Sequence, residues 1–273
     1  MVIVCFGDVF AKPGRRALAA VLPELRTRYR PDFVLANAEN LAGGRGVNEK
    51  SLNELLELGV NGFTGGNHTW DNPEVYDLLA REKRLFRPAN LPSSSANPCP
   101  GRGYGLLENN GKQLMVINLL GRVFMDAVDC PFECADEILR TQSFPGPILV
   151  DMHAETTSEK YAMGMFLDGK VSAVVGTHTH VQTSDLRVLP KGTAYITDVG
   201  MTGSFDSIIG LGAAEVVRKF MTKRPQRTQP SAENPGYGCV VFKFGNGNRV
   251  EHFVRLRETI SDFEKHKGRD WPT

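Results

Sequence analysis

No run of about 18 consecutive apolar residues occurs in this 273-residue chain, so no segment is expected to span a membrane. Cysteine is sparse, and its pattern is uninformative as a framework. Cys5, Cys99, Cys130, Cys134 and Cys239 are odd in number, scattered, and never spaced as CxxC. That excludes a disulfide scaffold and a zinc knuckle, and a reducing cytoplasm is the expected location. An excess of one charge is missing too. With 32 basic against 31 acidic side chains, the net charge of +1 provides no global field for stable DNA binding or for an anionic membrane. Any anion site must be local. The opening MVIVCF lacks the basic start and cleavage site of a secretion signal, so export is not expected. Internal repeats and low-complexity tracts are absent as well.

What is present is an alternation. Short apolar, β-branched runs (Met1 to Gly7, Phe33 to Ala38, Gly62 to Gly65) are each followed by an amphipathic stretch (Gly14 to Tyr29, Glu49 to Val60, Pro73 to Arg84). The second half repeats the theme with strands at Gln113 to Leu120, Ile148 to Met152, Val171 to Gly176 and Thr193 to Thr197, and with helices at Ser158 to Leu167 and Ala213 to Lys223. Such alternation predicts an α/β fold, and continuous apolar strands predict sheets covered on both faces. Gly238 to Phe244 and Arg249 to Leu256 flank Gly245-Asn246-Gly247-Asn248, which predicts an antiparallel hairpin at an edge. Pro92 to Gly105 and Pro225 to Gly236 are expected to be loops. A layered sandwich built as one domain over residues 1–273 follows, a length that buries roughly three-quarters of its unfolded surface.

The chemistry gathers at strand ends, where ligands collect in sheets of this kind. Asp8 follows MVIVCFG, Glu39 and Asn40 follow FVLANA, and Asn67 and His68 follow FTGG; His153 follows ILVDM, and His178 and His180 follow VSAVVGT. Four of the six histidines lie at these positions, while His252 falls inside the last strand and His266 in the C-terminal tail. Imidazole, carboxylate and amide oxygen together suit two first-row metal ions such as iron, manganese or zinc better than calcium or magnesium. Metal-assisted hydrolysis of a phosphate ester is the expected reaction. His68 neighbours Asn67, so it can reach a bound phosphate, and imidazole exchanges protons near neutral pH. It is the expected general acid.

Taken singly, each segment has a structural reading. Asp8 can cap a helix, Glu39 and Asn40 can shape a turn before Gly43-Gly44-Arg45-Gly46, Asn67 can be a left-handed turn residue, and His153 can be a satisfied core histidine. His178 and His180, two apart, would share one face of a regular strand. The segments taken together favour the metal reading. Asp198 in TDVGMTG is read as a turn cap, Met163 and Met165 as packed helix residues, and Arg218 to Arg227 as solvated surface; Lys12 and Arg15 stay open.

The order of these residues resembles calcineurin-like metallophosphoesterases, and GDVFAKPGR, NAEN, GNHTWD, DMHAE, GTHTHVQTSD and TDVGMTG are similar to their YmdB-like branch over nearly the whole chain. The resemblance implies an α-β-β-α metallophosphoesterase sandwich and a bacterial, cytoplasmic phosphodiesterase acting on small diesters such as 2′,3′-cyclic nucleotides. It further implies that Asp8, Glu39, Asn40 and His180 hold one metal. Glu39 then bridges to a second held by Asn67, His153 and His178, with His68 as proton donor. The implied cofactor is a pair of divalent or mixed-valence ions, iron or manganese first and zinc next.

Departures from the wider superfamily are visible. Its Asp-x-His opening is Asp8-Val9-Phe10 here, its Gly-Asp is Ala38-Glu39, and the acidic residue after GNH is Thr69, which leaves Asp71 to orient His68. A phosphomonoesterase, or a regulatory RNA-associated or phosphate-binding protein, is the alternative function. A homo-oligomer is compatible with the sequence.

Overall fold

The structure, a computed structural model, describes residues 1–267. Its elements run β1 (Val2–Val9), α1 (Ala11–Tyr29), β2 (Phe33–Asn37), α2 (Glu49–Glu57), β3 (Gly62–Thr64), α3 (Val75–Arg81), β4 (Tyr104–Asn109), β5 (Lys112–Leu120), α4 (Pro131–Thr141), β6 (Ile148–His153) and α5 (Thr157–Leu167). The chain continues through β7 (Ala173–Thr177), β8 (Arg187–Val188), β9 (Ala194–Ile196), β10 (Met201–Ser204), α6 (Ala213–Thr222), β11 (Pro235–Phe244), β12 (Val250–Thr259) and α7 (Ile260–His266). One sheet has the order β12-β11-β10-β1-β2-β3 and the other β4-β5-β6-β7-β9-β8.

Period-two alternation explains the layers. Along β2, Phe33 and Leu35 enter the core between the sheets while Val34 and Ala36 face the helices, and in β1 Ile3 and Cys5 oppose Val4 and Phe6 in the same way. Each large apolar side chain so buried contributes roughly 1.5–3 kcal/mol. Leu18, Val21, Leu22, Leu52, Leu78 and Phe263 place α1, α2, α3 and α7 on the outside of the first sheet. Ala135, Ile138, Met163 and Leu167 place α4 and α5 outside the second. The result is the expected α-β-β-α sandwich, with β1–β2–β3 and β5–β6–β7 parallel and β11–β12 antiparallel at one edge. Among the described residues no helix is long and apolar enough to cross a membrane.

Several details depart from the sequence-based expectation. Strands β4, β8 and β10 and helix α4 lie where no element was expected, and helix α7 replaces the expected tail, so His266 ends a helix. Met163 is buried, but Met165 on the same helix is exposed. Strand β7 ends at Thr177, one residue past the expected Gly176, and His178 (φ 98°) and His180 (φ 65°) sit in left-handed backbone beyond it, not in a regular strand. They therefore do not share a strand face.

Candidate metal centre

A break in register brings the first carboxylate into place. The β1–β2 pairing shifts between Phe6 and Asp8, which puts Val9 with Phe6 on the helix-facing side. Asp8 turns toward the opposite sheet, where its Oδ1 lies 4.0 Å from His153 Nδ1 and 3.8 Å from His180 Nε2. Re-aiming a side chain at a functional end of a strand is what such an irregularity does. Asp8 is fully buried, Oδ2 accepts the His178 N–H at 3.0 Å, and Oδ1 has no hydrogen-bond partner. A buried carboxylate oxygen left without a donor is costly unless a cation faces it.

The chain brings the other expected donors to the same cleft in two groups. Around His153 Nε2 lie Asn67 Oδ1 at 3.0 Å, His178 Nδ1 at 3.1 Å and Glu39 Oε1 at 3.3 Å. Around His180 Nε2 lie Asn40 Oδ1 at 3.2 Å and the bare Asp8 oxygen at 3.8 Å. Glu39 links the centre to the His68 segment, for its Oε2 accepts the His68 N–H at 2.9 Å. Gly66 makes the approach possible. A Cβ there would fall 2.3 Å from both Glu39 Oε2 and His153 Nε2, so any larger residue forces the donors apart.

The outer nitrogen of each histidine is already committed. His153 Nδ1 donates to Thr177 Oγ1 (2.9 Å), whose own hydroxyl donates to Asp151 Oδ1 (2.7 Å). His178 Nε2 donates to Glu155 Oε2 (2.9 Å), and His180 Nδ1 donates to the Ile209 carbonyl (2.9 Å). These bonds aim the remaining lone pairs inward, in the way outer hydrogen-bond partners orient metal-binding imidazoles. One proton on a ring nitrogen cannot serve three surrounding acceptors. The mixed nitrogen and oxygen set, with Glu39, His153 and His178 donor atoms all within 4.8 Å of one another, fits divalent cations.

The sequence profile of the YmdB-like protein family matches residues 4–255. The chain belongs to the YmdB-like family. It is 48% identical over 228 residues to the 2′,3′-cyclic-nucleotide 2′-phosphodiesterase of Bacillus subtilis strain 168, covering 83% of this chain and 85% of that one. Two solved structures are similar over nearly its whole length. A hypothetical protein from Thermus thermophilus has a TM-score of 0.88 and 42% identity, covering 95% of this chain and 99% of that chain. A novel phosphatase from Mycoplasma pneumoniae has a TM-score of 0.89 and 36% identity, covering 95% and 93%.

Charge in this YmdB-like cleft is arranged around one point. Burial opposes a proton on His153, but the charge of Glu39 and its hydrogen bond, with Asp8 and Asp151 behind, raise that imidazole to about 9. Burial likewise works against the Glu39 charge, yet His153 and the His68 contacts hold its carboxyl down at about 2. Burial and the neighbouring His153 charge push His178 down to about 3. Burial raises Asp8 to about 6 against the pull of His180 and His153. The pocket thus demands positive charge beside Glu39 and refuses a second proton next to it.

The remaining expected residues are placed as follows. His68 lines the cleft and is 24% exposed, and its Nδ1 donates to Asp71 Oδ2 at 2.9 Å, so Asp71 orients the ring as expected. His252 lies in β12, away from the cleft lining. Arg15 holds Glu54 and the Leu41 carbonyl, both at 2.6 Å, and so braces the loop after Asn40. Asp198 exceeds its expected turn role. Its Oδ1 takes the Gly200 N–H, while Oδ2 takes the buried Lys160 ammonium (2.6 Å) and both the N–H and hydroxyl of Thr179. It thereby pins the residue between the two left-handed histidines. Asp151, Glu155, Thr177 and Lys160 were missed as supports, although an aspartate inside the apolar run ILVDMH was a usable signal.

Proposed function

We propose that this chain is a metal-dependent phosphoric diester hydrolase acting on 2′,3′-cyclic nucleotides. The observation that carries it is the convergence of Glu39, Asn67 and His178 donors on His153 Nε2 within 3.3 Å, beside the bare Asp8 oxygen. In this reading Asp8, Glu39, Asn40 and His180 hold one ion, and Glu39, Asn67, His153 and His178 the other. Bound there, a metal pair supplies Lewis acidity toward a phosphoryl oxygen and toward water. Iron or manganese suits this nitrogen-and-oxygen set, with zinc next. The donors come from both sheets, in support of one metallophosphoesterase domain. All five cysteines are free, in support of a cytoplasmic location.

The chain's own residues then complete the reaction. Glu39, Asn40, His178 and His180 line one cleft of ≈ 510 Å³ together with His68, Arg45 and Glu155. Water adds its hydroxyl to phosphorus and releases its other proton to solvent as the phosphorus bond to the 2′ oxygen breaks, and that oxygen takes a proton. With Nδ1 held by Asp71, the other ring nitrogen of His68 is the one that gives it. The product is the 3′-monophosphate. Comparing turnover of a 2′,3′-cyclic nucleotide with that of the 3′-monophosphate tests the assignment: the diester is the expected substrate, and faster release of phosphate from the monoester would replace this reading with a phosphomonoesterase.

A further inference from the structure

The donor-lined end of the cleft is only half of it. Beside His180 the wall is built by the turn at Ile209 and Leu211 and by Thr228, Gln229 and Pro230. This wall is pinned. Ile208 and Leu211 exchange backbone hydrogen bonds, Leu211 bridges to Pro230, Gly212 N–H donates to the Gln229 carbonyl, and Ser231 N–H donates to the Gly210 carbonyl. Behind it, Gly210 sits flush on the Phe10 ring, which in turn packs edge-on against His180 at 5.6 Å. The wall and the donor end are therefore one rigid unit.

Ile209 is the unusual member. It is a β-branched residue at φ 50°, in the left-handed region such side chains avoid, and it is 48% exposed in the lining of the cleft. Its carbonyl holds His180, but a glycine would supply that carbonyl without strain. The isoleucine side chain joins none of the buried apolar clusters of the fold, and strained backbone concentrates at ligand-contacting sites. A cleft of ≈ 510 Å³ also exceeds what a phosphate needs and suits a ligand with an apolar body.

We infer that Ile209, with Leu211 and Pro230, forms the seat on which the nucleobase of the substrate lies while its phosphate meets the donor end. The inference rests on the diesterase reading above. An aliphatic seat grips the flat face of any base, so purine and pyrimidine substrates are both accepted.

The test compares adenosine 2′,3′-cyclic phosphate with methyl riboside 2′,3′-cyclic phosphate, which lacks the base. For Ile209→Gly the ratio of kcat/KM between the two falls about tenfold, through KM of the nucleotide, with no loss of Tm. Ile209→Val keeps the ratio, and Leu211→Ala lowers it. A ratio equal to wild type in both Ile209→Gly and Leu211→Ala overturns the seat. If the wild-type chain loaded with manganese hydrolyses neither compound, the diesterase reading itself fails, and the seat falls with it.

Discussion

The two donor groups share one cleft, yet they meet the problem of buried charge in opposite ways. Around His153 the donors close to 3.0–3.3 Å, and a proton is drawn onto the ring up to about 9. Around His180 the contacts are longer, 3.2 Å and 3.8 Å, and the Asp8 carboxyl is itself pushed up to about 6 with one oxygen bare. The first group balances its charge with its own imidazole, and the second leaves the carboxylate short of a counter-charge. Glu39 stands nearest the first group, and its other oxygen holds the His68 backbone.

Removing the link breaks both groups at once. Glu39→Gln is expected to lose metal and to lower diester turnover on the order of 10⁴-fold, read by elemental analysis and initial rates. Retained metal and turnover would remove Glu39 from its role. His68→Ala should spare both groups. It keeps the metal content and loses roughly 10²–10³-fold in rate on diesters with poor leaving groups, with little loss on nitrophenyl esters that leave without a proton.

Acidity separates the groups further. An ion at the first must displace the His153 proton, so its affinity rises with pH, about tenfold per unit and about a hundredfold from pH 7 to 9, then levels. At the second, the Asp8 proton that an ion would displace is present below about pH 6. Metal titration from pH 6 to 9 should therefore show one strongly pH-dependent ion and one nearly indifferent; two parallel curves would erase the distinction. Without metal the sign reverses. The His153 proton stabilises the fold below about pH 6.5, and that contribution disappears as pH rises through about 9. The smallest effect falls on the ring's orientation: Asp71→Asn should cost about tenfold in rate and leave metal content unchanged.

Much of this arrangement was legible in the chain. Each donor follows an apolar run, and the continuous apolar runs of β1 and β2 pointed to sheets covered on both faces, in agreement with their burial along nearly every residue. The bulge at Phe6 to Asp8 was not legible, because no local residue type demands it; only the pairing with β2 shows it. The left-handed backbone of His178 and His180 contradicts their local preference and is held by Asp198 through Thr179, a contact between distant segments. Strand β10 reads as a turn because Met201–Ser204 is short and contains glycine, and it exists by pairing with β1 and β11. Helix α7 did carry a signal, for Thr259 caps it by accepting the Asp262 N–H.

The most direct measurement strips the purified chain with a chelator, restores metal stepwise, and follows ions bound per chain together with hydrolysis of a 2′,3′-cyclic nucleotide. The predicted result is negligible turnover when stripped and full recovery only as the second ion binds. Undiminished hydrolysis by the stripped chain, or recovery complete at a single ion, would contradict the paired-cation centre.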